Sequence, residues 1–181
     1  MNSFADTNIF LIGMMGSGKS TVGRLLAKKL SLKFVDLDQE IEAGEGLTIA
    51  DIFSKNGAER FRQLECEYLE NVIRQSGQVI ATGGGIILDH DNRQRIMSSG
   101  IAILLRCQIN TLAERLKNIH DRPLLGKDGS TLRTLEKIWT ERQEFYYSTA
   151  RIILDNDLMK PATAVKKIIK QIKGPHGNNQ G

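Results

Sequence analysis

Near the N-terminus the chain reads Asn8-Ile-Phe-Leu-Ile-Gly-Met-Met-Gly-Ser-Gly-Lys-Ser-Thr21. Residues 9–12 are continuously apolar and end at Gly13, which is typical of a strand buried on both faces of a parallel sheet. Residues 13–20 match G-x-x-x-x-G-K-[ST], a pattern in which backbone N–H groups and a helix N-terminus bind phosphate. Apolar residues then recur at helical spacing: Val22, Leu25, Leu26 and Leu30. Strand, glycine loop and helix therefore follow in the order that a phosphate site requires.

The rest of the chain repeats this alternation of strand and helix. Apolar runs predict strands at residues 33–36, 78–81, 101–105 and 151–154. Helical patterns separate them, at residues 48–75, 89–99, 110–118, 131–149 and 161–173. We predict an α/β fold, a five-stranded parallel sheet flanked by helices on both faces. Because ligands bind at the carboxyl ends of such strands, Gly13, Asp36 and Gly83 should meet at one edge.

Length and composition favour one globular domain. The 181 residues suit a single domain over residues 1–173, and 40% hydrophobic with 25% charged content is ordinary for a globular protein. Residues 119–129 carry charge, a proline and two glycines, so they are either a surface loop or a mobile lid. Residues 174–181 are polar and glycine-rich, and we expect a disordered tail.

Charge and targeting patterns exclude several function classes. The net charge is +4, but no basic run of five residues occurs, so a basic surface or an anion-binding pocket is favoured over nucleic-acid binding. The N-terminus lacks the pattern of a signal peptide, and no apolar run approaches ~20 residues. Cys66 and Cys107 have no metal-ligand spacing. We expect a cytoplasmic protein with reduced thiols and no membrane partner.

Candidate residues for phosphoryl chemistry lie at the predicted strand ends. Lys19 is expected to bridge the β- and γ-phosphates, and Ser20 to offer its hydroxyl to Mg²⁺. Asp36 and Asp38 are two apart on what we predict to be an extended segment, so both carboxylates should face the cleft. Alternatively, one aspartate caps the helix that follows.

A run of three glycines, Thr82-Gly-Gly-Gly85, follows the third predicted strand. Such a run lets a ligand touch bare backbone, although a flexible turn is the simpler interpretation. Arginines offer further anchors, but no single one is persuasive from its position alone. The candidates are Arg62, Arg115, Arg122 and Arg142.

The ordered set of motifs closely resembles shikimate kinases, which belong to the nucleoside monophosphate kinase-like branch of P-loop proteins. The resemblance covers residues 8–173 and depends on six segments in sequence order. These are Leu-Ile-Gly-Met-Met-Gly-Ser-Gly-Lys-Ser-Thr-Val-Gly-Arg (11–24), Phe-Val-Asp-Leu-Asp (34–38), Phe-Arg-Gln-Leu-Glu (61–65), Thr-Gly-Gly-Gly (82–85), Arg-Pro-Leu-Leu (122–125) and Glu-Arg (141–142) before Tyr146-Tyr147. The phosphate loop alone identifies only a superfamily, whereas the set is far more specific.

The resemblance implies transfer of the γ-phosphate of ATP to the 3-hydroxyl of shikimate, in aromatic amino-acid biosynthesis, by a monomer. On the nucleotide side it implies that Arg122 meets the phosphates from the lid, that Arg115 packs against adenine, and that residues 155–161 form the adenine loop. Asp36 would act on Mg²⁺. The phosphate loop would bind ATP through Gly16, Ser17, Gly18, Lys19, Ser20 and Thr21.

On the acceptor side, the resemblance implies that Asp38 binds the shikimate hydroxyls and serves as the base. Arg62 and Arg142 would clamp the carboxylate, a role that suits bidentate guanidinium groups. Gly84 and Gly85 would contact the substrate through their backbone. Glu65, three residues after Arg62 on a helix, either positions that arginine or forms a plain surface ion pair. His120 and Asp121 in the lid match no family role.

Two other functions are compatible with parts of this pattern. A kinase for another hydroxylated acid, such as gluconate, would also use Asp38, Arg62 and Arg142. A nucleotide-binding switch without turnover would bind ATP but would be expected to lack the base or the lid arginine, and both Asp38 and Arg122 are present. We rank nucleic-acid binding last.

Overall fold

The computed structural model describes residues 4–117 and 131–174. Five strands alternate with seven α-helices in this part of the chain. In order they are β1 (Asn8–Ile12), α1 (Lys19–Leu30), β2 (Lys33–Asp36), α2 (Leu37–Glu45), α3 (Ile49–Val72), β3 (Gln78–Ala81), α4 (His90–Ser99), β4 (Gly100–Arg106), α5 (Ile109–Leu116), α6 (Thr131–Thr149), β5 (Ile152–Asp155) and α7 (Pro161–Ile172). A short 3₁₀ turn at Ile86–Leu88 follows β3.

The five strands form one parallel sheet in the order β2-β3-β1-β4-β5, which confirms the predicted fold class. The predicted bounds of β2 and β3 agree with the structure. Strand β4 is one residue longer at each end than predicted, and β5 begins and ends one residue later. With β1 at the centre, the loops after β1, β2 and β3 open at the same edge.

The core lies on both faces of the sheet because side chains alternate along each strand. On β1, Phe10 and Ile12 pack on one face against apolar residues of α2 to α6. Ile9 and Leu11 pack on the other face against α1 and α7. Each face is covered, as parallel sheets require. No helix in residues 4–117 or 131–174 is both long and apolar enough to cross a membrane.

Helix α2 is absent from the sequence prediction, and its presence corrects one expectation. Asp38 does not extend β2; it lies in the first turn of α2, which begins at Leu37. Leu37 and Ile41 are four residues apart and fully buried, and burying both on one face favours helix over an extended chain. Gly46 ends the helix with φ of 64°, the left-handed conformation typical of a C-terminal glycine.

Helix α3, predicted as one long helix, is interrupted at Gly57, where φ is 81° and ψ is 171°. This break separates two helical pieces. The second piece packs Phe61, Leu64 and Leu69 into the core. Its direction places Arg62 and Glu65 at the carboxyl edge of the sheet, beside the loop that follows β3.

Candidate active site

The phosphate loop connects β1 to α1 through two turns that require glycine. Gly13 and Gly18 have φ of 139° and 91°, in the region that residues with a Cβ rarely adopt. A Cβ on Gly13 would also lie 2.7 Å from the carbonyl oxygen of Leu105. Helix α1 begins directly after the loop, without an acidic residue in its first turn. Lys19 and Ser20, the first residues of α1, line the cleft, so the positive end of the helix dipole faces it.

Lys19 lies across the loop. Its Nζ donates hydrogen bonds to the carbonyl oxygens of Gly13 and Met14, at 2.8 and 2.9 Å. These contacts hold the ammonium group over the turn that the backbone makes around the phosphate site. A phosphate oxygen bound in the loop would thus meet both backbone N–H groups and a fixed positive charge.

Ser20 and Asp36 bring two oxygen ligands together. Ser20 Oγ donates to Asp36 Oδ2 at 2.6 Å. Asp36 occupies the N-cap position of α2, yet its side chain accepts no capping hydrogen bond from that helix. The capping interpretation is therefore wrong for Asp36, whose carboxylate is directed at the phosphate loop instead.

The glycine run after β3 gives three side chains close access to backbone. A Cβ on Gly83 would lie 2.5 Å from Glu65 Oε1 and 2.8 Å from Asp38 Oδ1. A Cβ on Gly85 would overlap the guanidinium group of Arg62. Side chains at positions 83 and 85 would displace these groups, whereas a Cβ on Gly84 would lie no closer than 3.4 Å to its neighbours. The run therefore brings the aspartate from α2 beside the arginine and glutamate from α3.

Arg62 and Glu65 form an ion pair, and it is not the plain surface pair that the spacing also allowed. The Arg62 side chain is 27% exposed, whereas that of Glu65 is 1% exposed. Burial raises the pKa of Glu65 to about 7, and the attraction of Arg62 only partly opposes that rise. Glu65 Oε1 has no hydrogen-bond partner among the described residues. The ion pair therefore extends into the protein interior, where Glu65 fixes the orientation of the Arg62 guanidinium group.

Arg142 and Tyr146 lie one turn apart on α6 and bind the same atom. Arg142 Nη1 donates to the Gly84 carbonyl oxygen at 3.0 Å, and Tyr146 Oη donates to it at 2.5 Å. Both residues are buried. Sequence reasoning assigned no role to Tyr146, although its position four residues after Arg142 placed it on the same helix face. Together they fix the Gly84–Gly85 peptide.

At the opposite end of the cleft, Arg115 connects the phosphate loop to the loop after β5. Its Nη1 donates to the Gly16 carbonyl oxygen at 3.2 Å. Its Nη2 donates to the carbonyl oxygens of Asn156 and Asp157, at 2.8 and 2.5 Å. Pro161 lines the cleft near by. Asn156, a contact that sequence reasoning missed, also binds the phosphate loop through its side chain.

These elements surround a cleft of about 450 Å³. Most of the predicted site residues line it: Gly16, Gly18, Lys19, Ser20, Thr21, Asp36, Asp38, Gly84 and Arg115. Ser17, within the loop, is fully buried. Arg62, Gly85 and Arg142 lie next to the cleft, through their contacts at Gly84 and Gly85. Arg122 and the predicted lid at residues 119–129 lie outside the described residues.

Sequence comparison finds similarity to known proteins over most of the chain. A family model described as shikimate kinase matches residues 15–173. A shikimate kinase from Sulfurihydrogenibium sp. (strain YO3AOP1) is 41% identical over 166 residues, which cover 92% of this chain and 98% of that protein. The family match therefore begins within the phosphate loop and extends to the end of α7.

Solved structures agree with the sequence comparison. A shikimate kinase from Acinetobacter baumannii in complex with shikimate superposes with a TM-score of 0.90 at 32% identity, and the match covers 96% of each chain. A gluconokinase from Sinorhizobium meliloti 1021 superposes with a TM-score of 0.54 at 16% identity, over 98% of this chain and 99% of that one. The gluconokinase shares the fold alone.

Proposed function

This chain belongs to the shikimate kinase family, and we propose that it transfers the γ-phosphate of ATP to the 3-hydroxyl of shikimate. The products are shikimate 3-phosphate and ADP. The observation that carries the proposal is that Lys19, Asp38 and Gly84 line one cleft. The site for the nucleotide and the site for a hydroxylated carboxylate are therefore adjacent in the same cleft.

The donor half binds the phosphates of ATP through backbone N–H groups of residues 16–21 and through Lys19. The contacts of Lys19 with Gly13 and Met14 keep its charge above the loop before nucleotide binds. A charge fixed in advance needs little reorganisation when negative charge develops on the transferring phosphoryl group. Lys19 is therefore assigned to the stabilisation of that charge.

Mg²⁺ fits the oxygen pair of Ser20 and Asp36. A hydroxyl and a carboxylate are the hard ligands that this ion prefers, and nucleotide phosphates and water complete its usual coordination. The described residues contain no cluster of three or more His, Cys, Asp or Glu that could hold a metal by itself. The two side chains already lie 2.6 Å apart and face the loop. Bound there, the ion supplies neutralisation of phosphate charge.

The acceptor half orients shikimate by its carboxylate and its hydroxyls. Arg62 and Arg142 bind the carboxylate, the Gly84–Gly85 backbone forms the floor, and Asp38 binds the hydroxyls. The 3-hydroxyl oxygen forms a bond to the γ-phosphorus while the bond between that phosphorus and the bridging oxygen of ADP breaks. The hydroxyl proton passes to the Asp38 carboxylate.

Two further arginines complete the nucleotide site. Arg115 packs beside adenine at the loop after β5, which its contacts with Asn156 and Asp157 support. Arg122, assigned from the family resemblance, adds positive charge from the lid and excludes water during transfer. The enzyme acts as a cytoplasmic monomer, with one domain over residues 1–173.

An acceptor panel tests the proposed function. ADP release is measured with ATP and Mg²⁺ in the presence of shikimate, of gluconate, or of no acceptor. We expect release that depends on shikimate and a background rate with gluconate. Robust release with gluconate and none with shikimate would assign the enzyme to the other substrate class. Nucleotide binding without release in any mixture would indicate a switch.

A further inference from the structure

Asn156 is a buried amide placed directly after β5, and its backbone is fixed by the sheet. Its side chain and backbone together are only 3% exposed. Its N–H donates to the Arg106 carbonyl oxygen at 2.8 Å, which extends the pairing of β4 with β5 by one residue. The side chain therefore projects from a rigid position at the carboxyl edge of the sheet.

The side-chain amide of Asn156 binds the phosphate loop. Its Nδ2 donates to the Ser17 carbonyl oxygen at 2.8 Å, a contact between residues 139 positions apart. The amide oxygen accepts no hydrogen bond from any described residue. The contact that orients the side chain is therefore the one in which it donates to Ser17.

The Ser17 carbonyl controls the direction of the next N–H. In a trans peptide the C=O of one residue and the N–H of the following residue point to opposite sides, and the described residues contain no cis peptide bond. Ser17 is buried, whereas Gly18 lines the cleft, as does Asn156. When the Asn156 amide binds the Ser17 oxygen, the Gly18 N–H is directed to the opposite side of that peptide, where a phosphate bound in the loop would accept it.

A second connection runs from the same residue to the loop. The Asn156 carbonyl oxygen accepts from Arg115 Nη2, and Arg115 Nη1 donates to the Gly16 carbonyl oxygen. One residue thus binds the loop at Ser17 through its side chain and at Gly16 through an arginine. Packing alone does not require two polar connections to neighbouring carbonyls of the same turn.

We infer that Asn156 is a positioning residue, which presets the phosphate loop by holding the Ser17–Gly18 peptide with its N–H towards the nucleotide. The inference rests on the proposed function only in requiring that the loop binds nucleotide. It does not depend on the acceptor. The nucleotide site then depends on a residue directly after β5, far from the glycine motif in sequence.

The test compares ADP binding by variants that keep or lose the donor. Asn156→Leu preserves the shape of the side chain and removes its N–H, whereas Asn156→Thr retains a hydroxyl donor. Calorimetric titration with MgADP, in the absence of shikimate, should give about tenfold weaker binding for Asn156→Leu. Asn156→Thr should bind within about threefold of the wild type, since its hydroxyl can still donate to Ser17.

A matched control separates positioning from loss of stability. Asn8 is also a buried asparagine whose Nδ2 donates to a backbone carbonyl, that of Gln75 at 2.9 Å, but it lies at the start of β1, at the opposite edge. Asn8→Leu should lower the melting temperature and leave ADP affinity within about twofold of the wild type. Shikimate affinity, followed by the fluorescence of the single tryptophan, Trp139, should stay unchanged in both Asn156 variants.

Three results would overturn the inference. They are ADP affinity of Asn156→Leu within twofold of the wild type, equal weakening by Asn156→Thr, or an equal loss in Asn8→Leu. If Asn156→Leu does not fold, Asn156→Ala replaces it, and Asn156→Ala must bind ADP more weakly than Asn156→Thr. Wild-type protein that binds ADP but phosphorylates no shikimate would refute the proposed function and leave this test intact.

Discussion

The donor half and the acceptor half of the cleft are built by different means. The donor half is mostly backbone: the glycine turns at residues 13–18 and the start of α1, with Lys19 bound to the carbonyls of Gly13 and Met14. The acceptor half consists of charged and aromatic side chains from three separate helices around Gly83 to Gly85. These side chains are Asp38, Arg62, Glu65, Arg142 and Tyr146.

This difference indicates how generality and selectivity are divided. A backbone cradle recognises phosphate oxygens in any nucleotide, because every residue supplies an N–H. Side chains fixed from several directions recognise one arrangement of hydroxyls and carboxylate. The two halves should therefore respond separately to substitution.

The largest effect is expected for Lys19→Ala, in the donor half. Loss of the fixed charge should lower kcat for shikimate phosphorylation by about 10²- to 10³-fold or more, because it stabilises the transferring phosphoryl group. Steady-state ADP release measures kcat, and Trp139 fluorescence measures shikimate affinity, which should be unchanged. Weakened shikimate binding in this variant would show that the halves are coupled.

A smaller but selective loss is expected for Arg62→Ala, in the acceptor half. Removal of the guanidinium group should raise the KM for shikimate by roughly 30- to 100-fold and leave the KM for ATP unchanged. Arg60→Ala is the matched control, since Arg60 lies two residues earlier on α3 and pairs with Glu67 at the surface, at 2.9 Å. Equal kinetics for wild type and Arg62→Ala would contradict the carboxylate clamp.

The ionisation of Glu65 should make stability depend on pH in the acceptor half. The raised pKa, about 7 against 4.5, results from burial, with Arg62, Arg142 and Asp38 as the charged neighbours. Below pH 4.5 both folded and unfolded chains carry the proton; between pH 4.5 and about 7 only the folded chain keeps it. The stabilisation present below pH 4.5 is therefore lost as pH rises to about 7.

Glu65→Gln replaces the titratable carboxyl group of Glu65 with an amide that does not ionise. The wild type should lose roughly 2 to 3 kcal/mol of stability relative to Glu65→Gln between pH 4.5 and pH 8. Urea unfolding of both proteins across that range measures the difference. A difference that is constant with pH would show that Glu65 is ionised throughout.

The smallest effect is expected for Tyr146→Phe, which removes one hydroxyl from the acceptor floor. Arg142 still donates to the Gly84 carbonyl oxygen in this variant, so the Gly84–Gly85 peptide keeps one of its two hydrogen bonds. The KM for shikimate should rise roughly 3- to 10-fold, with the KM for ATP unchanged. Tyr147→Phe is the control, because Tyr147 is exposed and its hydroxyl contacts Arg106 at the surface. Equal effects of the two substitutions on the KM for shikimate would show that the Tyr146 hydroxyl has no role in shikimate binding.

The donor half could be predicted from local sequence patterns, whereas the acceptor half could be predicted only in part. Short, continuous patterns predicted the five strands and the phosphate loop, because glycine conformation and apolar runs act locally. Helix α2 was missed because only two buried residues, Leu37 and Ile41, mark it among charged neighbours. The error on Asp38 follows from that omission.

Contacts between distant segments were beyond sequence patterns alone. Spacing placed Arg62 and Glu65 on one helix face, but it did not show that Glu65 is buried. The convergence of Tyr146 on Gly84 and of Asn156 on Ser17 depends on how helices and strands pack, and neither residue carries a local signal. The roles of the acceptor residues were assigned through family resemblance and stay predictions.

The position of phosphate on the product tests the proposed function and the assigned acceptor site together. Wild-type protein is incubated with ATP, Mg²⁺ and shikimate, and the product is analysed by correlation of ³¹P with ¹H in NMR. We predict one product, with phosphorus coupled to the proton on carbon 3 of shikimate. Coupling of phosphorus to the proton on carbon 4 or carbon 5 would contradict the assigned arrangement of Asp38, Arg62 and Arg142 around the acceptor. Release of inorganic phosphate alone would contradict it as well.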